Sequence, residues 1–233
     1  MGRALRLVAD GLVYHALNRG NNREAVFSTG ADFAAFLQAL RQTQERYPFR
    51  LYGYALLNNH FHLLLAPDSK QNISRILQSL TVAHTWRFHK AHGSVGHVWQ
   101  GRFKSPVIQD DNHLLTVLRY IESNPLRAGL VKDLQRYRWT SYAVHGLDQS
   151  DDLITPLPGW ETLGRTERAR QAYWRRFVHT PLSERELAAL RRAVSSGRPF
   201  GSASWVEAMA RTLGIDLVPR PRGRPRKHAG KMN

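Results

Sequence analysis

Cysteine is absent from this 233-residue chain, which excludes disulfides, thiolate metal sites and cysteine nucleophiles. Acidic residues are scarce: 18 Asp and Glu stand against 34 Lys and Arg, for a formal net charge of +16. After Asp216 there are none at all. Long apolar runs are missing as well. No stretch approaches the length of a membrane span, and the first residues hold no run fit for a signal peptide. The expectation is a soluble cytoplasmic protein without a membrane partner. No internal repeat is visible.

What is present is a large basic excess, mostly arginine, with a pI near 11.0. Guanidinium forks match phosphate geometry, so nucleic acid is the expected partner. A ribosomal or chromatin-like protein would carry the same charge, and charge alone names no enzyme. With 42% hydrophobic and 22% charged residues, the composition suits one globular domain and an appendage.

Apolar periodicity orders the chain. Residues 12–17 predict a first strand running into a turn-rich loop, Asn18-Arg19-Gly20-Asn21-Asn22-Arg23. Phe33, Phe36, Leu37 and Leu40 at helical spacing predict a helix that fades near Tyr47-Pro48. Residues 49–57 predict a second strand, and Asn58-Asn59 turns into a third that pairs with it as a hairpin. Ile73, Ile76, Leu77, Leu80 and Ala83 mark a helix over 72–92. A fourth strand, basic on one side, is predicted over 102–108. A third helix runs from Asp110-Asp111 and ends ahead of Pro125.

Strand, helix, strand, strand, helix, strand is the ferredoxin-like split βαβ pattern. The expected fold class is α+β, an antiparallel sheet with helices on one face, followed by a helical, basic C-terminal extension. The expected domain covers 1–147, closed by an aromatic wrap at 137–142, and the extension covers 148–233. Within the extension, 148–158 reads as a linker, and helices are predicted over 166–178 and 183–195, the second with the capping box Ser183/Glu186. A last short helix follows Trp205. Residues 219–233 read as a flexible basic tail.

Two stretches could carry chemistry. On the third strand His60 and His62 share a face, about 7 Å apart along it, while Phe61 and Leu63 share the other. Such a pair can grip one divalent cation from one side. Alone, so short a motif more often marks half-buried histidines. On the third helix Leu114, Val117, Leu118 and Ile121 form the core stripe; Tyr120 lies at its edge, and Asn124 falls four residues on, near the same face. By spacing alone, that phenol is more often a core residue with a wet hydroxyl than a nucleophile.

Taken together, these blocks resemble a family. His60-Phe61-His62 after Asn59, with RYIESNPLRAGLV at 119–131, resembles the HUH single-tyrosine transposases. Tyr14-His15 with Asn18-Arg19-Gly20-Asn21 resembles that family's first strand and loop, and Trp99-Gln100-Gly101-Arg102-Phe103-Lys104-Ser105 its basic strand. The chain is most similar to the REP-associated tyrosine transposases, bacterial relatives that act on repeated extragenic palindromes. Trp205 and the Arg-Gly-Arg-Pro tail point to that branch. One departure is Leu57-Asn58, where the family often has Met-Pro; it bears on the turn and not on a ligand.

The resemblance implies the HUH nuclease fold and a DNA strand transferase. His60, His62 and Asn124 would be metal ligands, and Mg²⁺ or Mn²⁺ suits two imidazoles and an amide without thiolate. Tyr120 would be the nucleophile, forming a 5′-phosphotyrosine link and freeing a 3′-hydroxyl on single-stranded or hairpin DNA. No nucleotide cofactor is implied, and a monomer is favoured over a homodimer. The general base stays open, with His113 one option. Expected DNA contacts are Arg19, Asn21 and Asn22 in the first loop, and Trp99, Arg102 and Lys104 around the fourth strand. Arg222, Arg224, Arg226 and Lys227 resemble an AT-hook core; a phosphate tether and a self-inhibiting strand are the alternatives. Two rival readings are a catalytically inactive DNA- or RNA-binding regulator and a self-mobilising insertion-sequence transposase.

Overall fold

A computed structural model describes residues 11–109 and 112–214. The tail positions Arg222, Arg224, Arg226 and Lys227 lie outside the described residues. Four strands form one sheet: β1 (Val13–Arg19), β2 (Phe49–Leu57), β3 (His60–Pro67) and β4 (Val107–Ile108). Their order is β2-β3-β1-β4, with every neighbour antiparallel. This is the order that two interleaved βαβ units produce.

Two helices cover one face. α1 (Gly30–Arg46) starts at a capping box between Thr29 and Asp32; α2 (Ile73–His92) starts at Asn72, which caps Ser74, and stops at left-handed Gly93. Phe36, Leu40, Ile76 and Leu80 bury against Phe61, Leu63 and Leu65, the odd-numbered residues of β3. The even-numbered residues face the other way and are buried too. There α3 (Asn112–Glu122) lays Leu114, Val117, Leu118 and Ile121 on Ala55, Leu57 and Leu64. It lies close because β2 carries Gly53 at a register shift; a Cβ there would collide with Leu118 and press on Ser141 Oγ.

Beyond α3 come α4 (Asn124–Arg127), α5 (Tyr142–Gly146), α6 (Glu167–His179), α7 (Glu184–Ser196) and α8 (Ala203–Thr212). Trp174 of α6 and Leu190 of α7 join the α3-side core. The Ser183–Glu186 capping box opens α7 as its sequence predicts. Among the described residues, no helix is long and apolar enough to cross a membrane.

Three local expectations are amended. The fourth strand is shorter than 102–108. Lys104 still pairs with Leu17 through both backbone groups, but Pro106 has no N–H to give and the ladder lapses around it. α3 does end ahead of Pro125, at Glu122, but a further helical turn follows, since a proline in the first turn of α4 gives up an N–H that would be unpaired there anyway. Residues 148–158 are packed, not loose. Leu153 and Leu157 are buried, Thr155 donates its N–H to Leu51 O at 2.7 Å, and Tyr54 donates its hydroxyl to Asp151. The aromatic wrap also earns its place on the outer edge of β2. Trp139 O accepts from Leu56 N, and Ser141 N donates to Tyr54 O, so the edge is not left open for another chain.

Candidate active site

The even-numbered face of β3 and the last turn of α3 enclose a cavity of about 330 Å³. His60, His62, Tyr120 and Asn124 all line it, with Arg19, Arg127 and Arg191 among their neighbours. Strand alternation puts the two imidazoles side by side, and their ring centroids are 5.0 Å apart. The Tyr120 ring stands edge-on to His62 at 5.7 Å and to His15 at 5.8 Å. Phenol and histidines therefore meet within one chain.

Hydrogen bonds settle which atoms are free. His60 donates Nδ1–H to Asn59 Oδ1 at 2.6 Å, so its Nε2 keeps a lone pair. Asn124 Nδ2 donates to Tyr120 O at 2.9 Å, which leaves the carboxamide oxygen. His62 Nδ1 lies 2.9 Å from His15 Nε2, and the two nitrogens share one proton. When His62 donates, its Nε2 carries a lone pair and the remaining His15 proton sits on Nδ1, a buried atom without a partner. When His15 donates, His62 Nε2 carries an N–H instead. In the placement where His62 is the donor, two imidazole nitrogens and one amide oxygen form a donor set that fits a hard or borderline divalent ion. Among the described residues, no three His, Cys, Asp or Glu side chains group as a metal site.

All three imidazoles are held neutral. Burial pushes His15 down to about 3 and His60 to about 4, with Arg19 adding to the second. His62 is held well below 6.5, first by burial and then by the neighbouring His15, His60 and Arg127. His84, on the buried face of α2 with Val26 O at its Nε2, also falls to about 4. The unfolded chain takes up protons below pH 6.5 that folded His60 and His84 refuse. Folding stability should therefore be complete above about pH 6.5 and decline as the pH drops toward 4. Urea titrations at pH 7.5 and pH 5 check this, and equal midpoints would contradict it.

Residues 8–124, half of the chain, match the family described as Transposase IS200 like. The chain belongs to the IS200-like transposase family. A Haemophilus influenzae relative, provisionally named a REP-associated tyrosine transposase, is 29% identical over 117 residues. That match takes in 46% of this chain and spans 66% of the relative's length. A solved REP-associated tyrosine transposase bound to a REP hairpin superposes with a TM-score of 0.53 at 19% identity. It covers 66% of this chain and 94% of its own, a likeness of fold. A transposase provisionally so named from Deinococcus radiodurans r1 has 19% identity and a TM-score of 0.38, covering 52% of this chain and 96% of its own.

The other expected contacts scatter. Arg19 lines the cavity; Asn22, Arg102 and Lys104 are exposed and not among its lining residues, and Asn21 is half-buried. Trp99 is packed: its ring lies edge-on to Phe61 at 5.4 Å, and its Nε1–H donates to Thr81 O. His113 stands against Phe200, two helical turns before Tyr120, and does not line the cavity.

Four residues near the site were not assigned a role from sequence. His15 grips His62, and strand alternation with the β1–β3 pairing is the signal that finds it. Arg127 lies over the Tyr120 ring, 4.5 Å from its centroid. Arg191 reaches the cavity from α7 and has no local signature at all. Glu122, two residues past Tyr120, is fully buried. It accepts hydrogen bonds from Ser141 Oγ at 2.5 Å, His145 Nδ1 at 2.7 Å and Trp174 Nε1 at 2.7 Å. That clasp ties the end of the tyrosine helix to α5 and α6.

Proposed function

We propose that this transposase cleaves and rejoins hairpin-forming single-stranded DNA through a covalent 5′-phosphotyrosine at Tyr120. The convergence of His60, His62, Tyr120 and Asn124 on one cavity within one chain carries the reading. The similar solved protein bound to a REP hairpin suggests the substrate class, a palindromic hairpin.

In the proposed reaction Tyr120 Oη attacks phosphorus and the bond from phosphorus to the 3′-oxygen breaks. The phenolic proton leaves to water, and the departing oxygen takes one up to become a 3′-hydroxyl. The new phosphotyrosine keeps the energy of the broken bond, so a 3′-hydroxyl can reverse the attack with no nucleotide cofactor. Arg127 holds the phenol ring in place, and Arg19 offers countercharge at the cavity. His60, His62 and Asn124 would hold Mg²⁺ or Mn²⁺. Such an ion, when bound, polarises a phosphate and offsets the charge that grows on it.

The reading extends to a monomeric cytoplasmic enzyme whose nucleophile and metal-holding residues sit in residues 1–147, with 148–233 as an extension whose basic tail is an AT-hook, a phosphate tether or a self-inhibiting strand. A single-stranded hairpin labelled on its 3′ side, mixed with protein and Mn²⁺, should give a labelled protein band on a denaturing gel. EDTA should remove that band. Cleavage that leaves both fragments free, or that ignores EDTA, would overturn the phosphotyrosine reading.

A further inference from the structure

The family match stops at residue 124, yet the cavity does not. Arg191 and Val194, on α7 of the C-terminal extension, line it together with Tyr120 and Asn124. A latch fixes α7 in that position. Arg119, the residue before the phenol, is buried; its Nη2 donates to Glu186 Oε1 at 2.9 Å, and its guanidinium lies 4.3 Å from the centre of the Phe177 ring of α6. Glu186 meanwhile caps α7 through Ser183, so the first turn of that helix and the tyrosine helix share one carboxylate. Leu190 and Ala193 bury the inward stripe of α7. With that stripe fixed, Arg191 faces the cavity.

The charge there is unspent. Among the described residues no carboxylate pairs with Arg19, Arg127 or Arg191. Three guanidinium groups around one small cavity, with no carboxylate among the described residues to offset them, repel one another, and an entering anion relieves that repulsion. His60 and His62 offer no negative charge to relieve them. A phosphodiester does, and two arginine forks from separate helices could hold two of its oxygens.

We propose that Arg191, with Arg127, forms a phosphate grip across the cavity from the histidines, so that the C-terminal extension completes the substrate site. The proposal rests on the strand-transfer reading above and deepens it. In this account α7 is part of the DNA-binding surface, and the segment matched by the family lacks one of the groups that touch substrate.

The test uses the full chain and the same hairpin, with Arg191→Ala, Arg191→Lys and, as a charge-matched control at an exposed position of the same helix, Arg192→Ala. Arg191→Ala should lower kcat/KM for adduct formation about tenfold to a hundredfold, the cost of one charged hydrogen-bonding partner, mostly through KM. Arg191→Lys should recover part of it, and Arg192→Ala should match the unaltered protein. Hairpin affinity measured in EDTA over a range of salt should lose about one unit of slope in Arg191→Ala only. Equal behaviour of the two alanine variants overturns the grip. A more active Arg191→Ala also overturns it, since α7 would then obstruct the site. If the unaltered protein forms no adduct, the strand-transfer reading fails, while the EDTA binding arm still decides for or against Arg191.

Discussion

His62→Ala should lower hairpin cleavage about a hundredfold or more and weaken Mn²⁺ binding in parallel. The imidazole is 3% exposed, and its ring meets His15, His60 and Tyr120 at 5.0, 5.0 and 5.7 Å. Removing it takes away one of two ring nitrogens facing the cavity and leaves His15 with no partner on either nitrogen. Some stability goes with it, so a second variant separates the effects. His60 sits at the partly exposed start of β3, and its Nδ1 bond to Asn59 is near the surface. His60→Ala should fall as far in cleavage and in Mn²⁺ affinity by calorimetry, with little change in melting temperature. Unchanged Mn²⁺ affinity in both variants would remove the histidines from the metal site.

The largest effect on stability is expected from Glu122→Ala, a loss of about 3 kcal/mol or more. Ser141, His145 and Trp174 all point donors at this one carboxylate, and Trp174 is fully buried. Alanine would strand the His145 and Trp174 N–H donors in the core, while Ser141 could turn its hydroxyl to Tyr54 O, 3.3 Å away; each stranded donor costs about 1–3 kcal/mol. Glu122→Gln keeps the shape and one acceptor oxygen, so it should lose less. Because the clasp anchors the helix that carries Tyr120, cleavage should fall with stability in the alanine variant. Urea unfolding of the three proteins measures the difference. A Glu122→Ala protein within about 1 kcal/mol of the unaltered chain would show the network to be dispensable.

Much of the fold was legible because alternation and helical spacing are strong where a face is buried. Phe49–Leu57 begins and ends where its pattern does, the turn at Asn58-Asn59 pairs it with β3, and alternation along β3 puts His60 and His62 on one face. The pattern failed where backbone chemistry decides. Pro106 cuts the fourth strand short, while Pro125 is tolerated inside a helical turn for lack of the same N–H. Composition misled at 148–158, where acids and prolines read as a linker although Leu153 and Leu157 sit in the core.

The site divides in the same way. The histidine pair, the phenol and the carboxamide lie in two short blocks whose spacing and family resemblance picked them out. His15 needed the pairing of β1 with β3, a contact between residues 47 apart in sequence. Arg191 needed α7 to fold back on α3 through the contact of Arg119 with Glu186, 67 residues apart, and no periodicity within α7 reports that. Glu122 sat beside the nucleophile in plain view. A lone acid on a helix normally reads as solvated, and only the three donors from distant segments reveal it as buried.

The central claim is a covalent bond from DNA to one phenol out of eight tyrosines. Its direct test is to form the adduct with a hairpin and Mn²⁺, digest the protein and locate the nucleotide-bearing peptide by mass spectrometry. The account predicts a nucleotide 5′-phosphate on Tyr120 alone, and no adduct from Tyr120→Phe. A nucleotide on another tyrosine, or an adduct that survives in Tyr120→Phe, would contradict it.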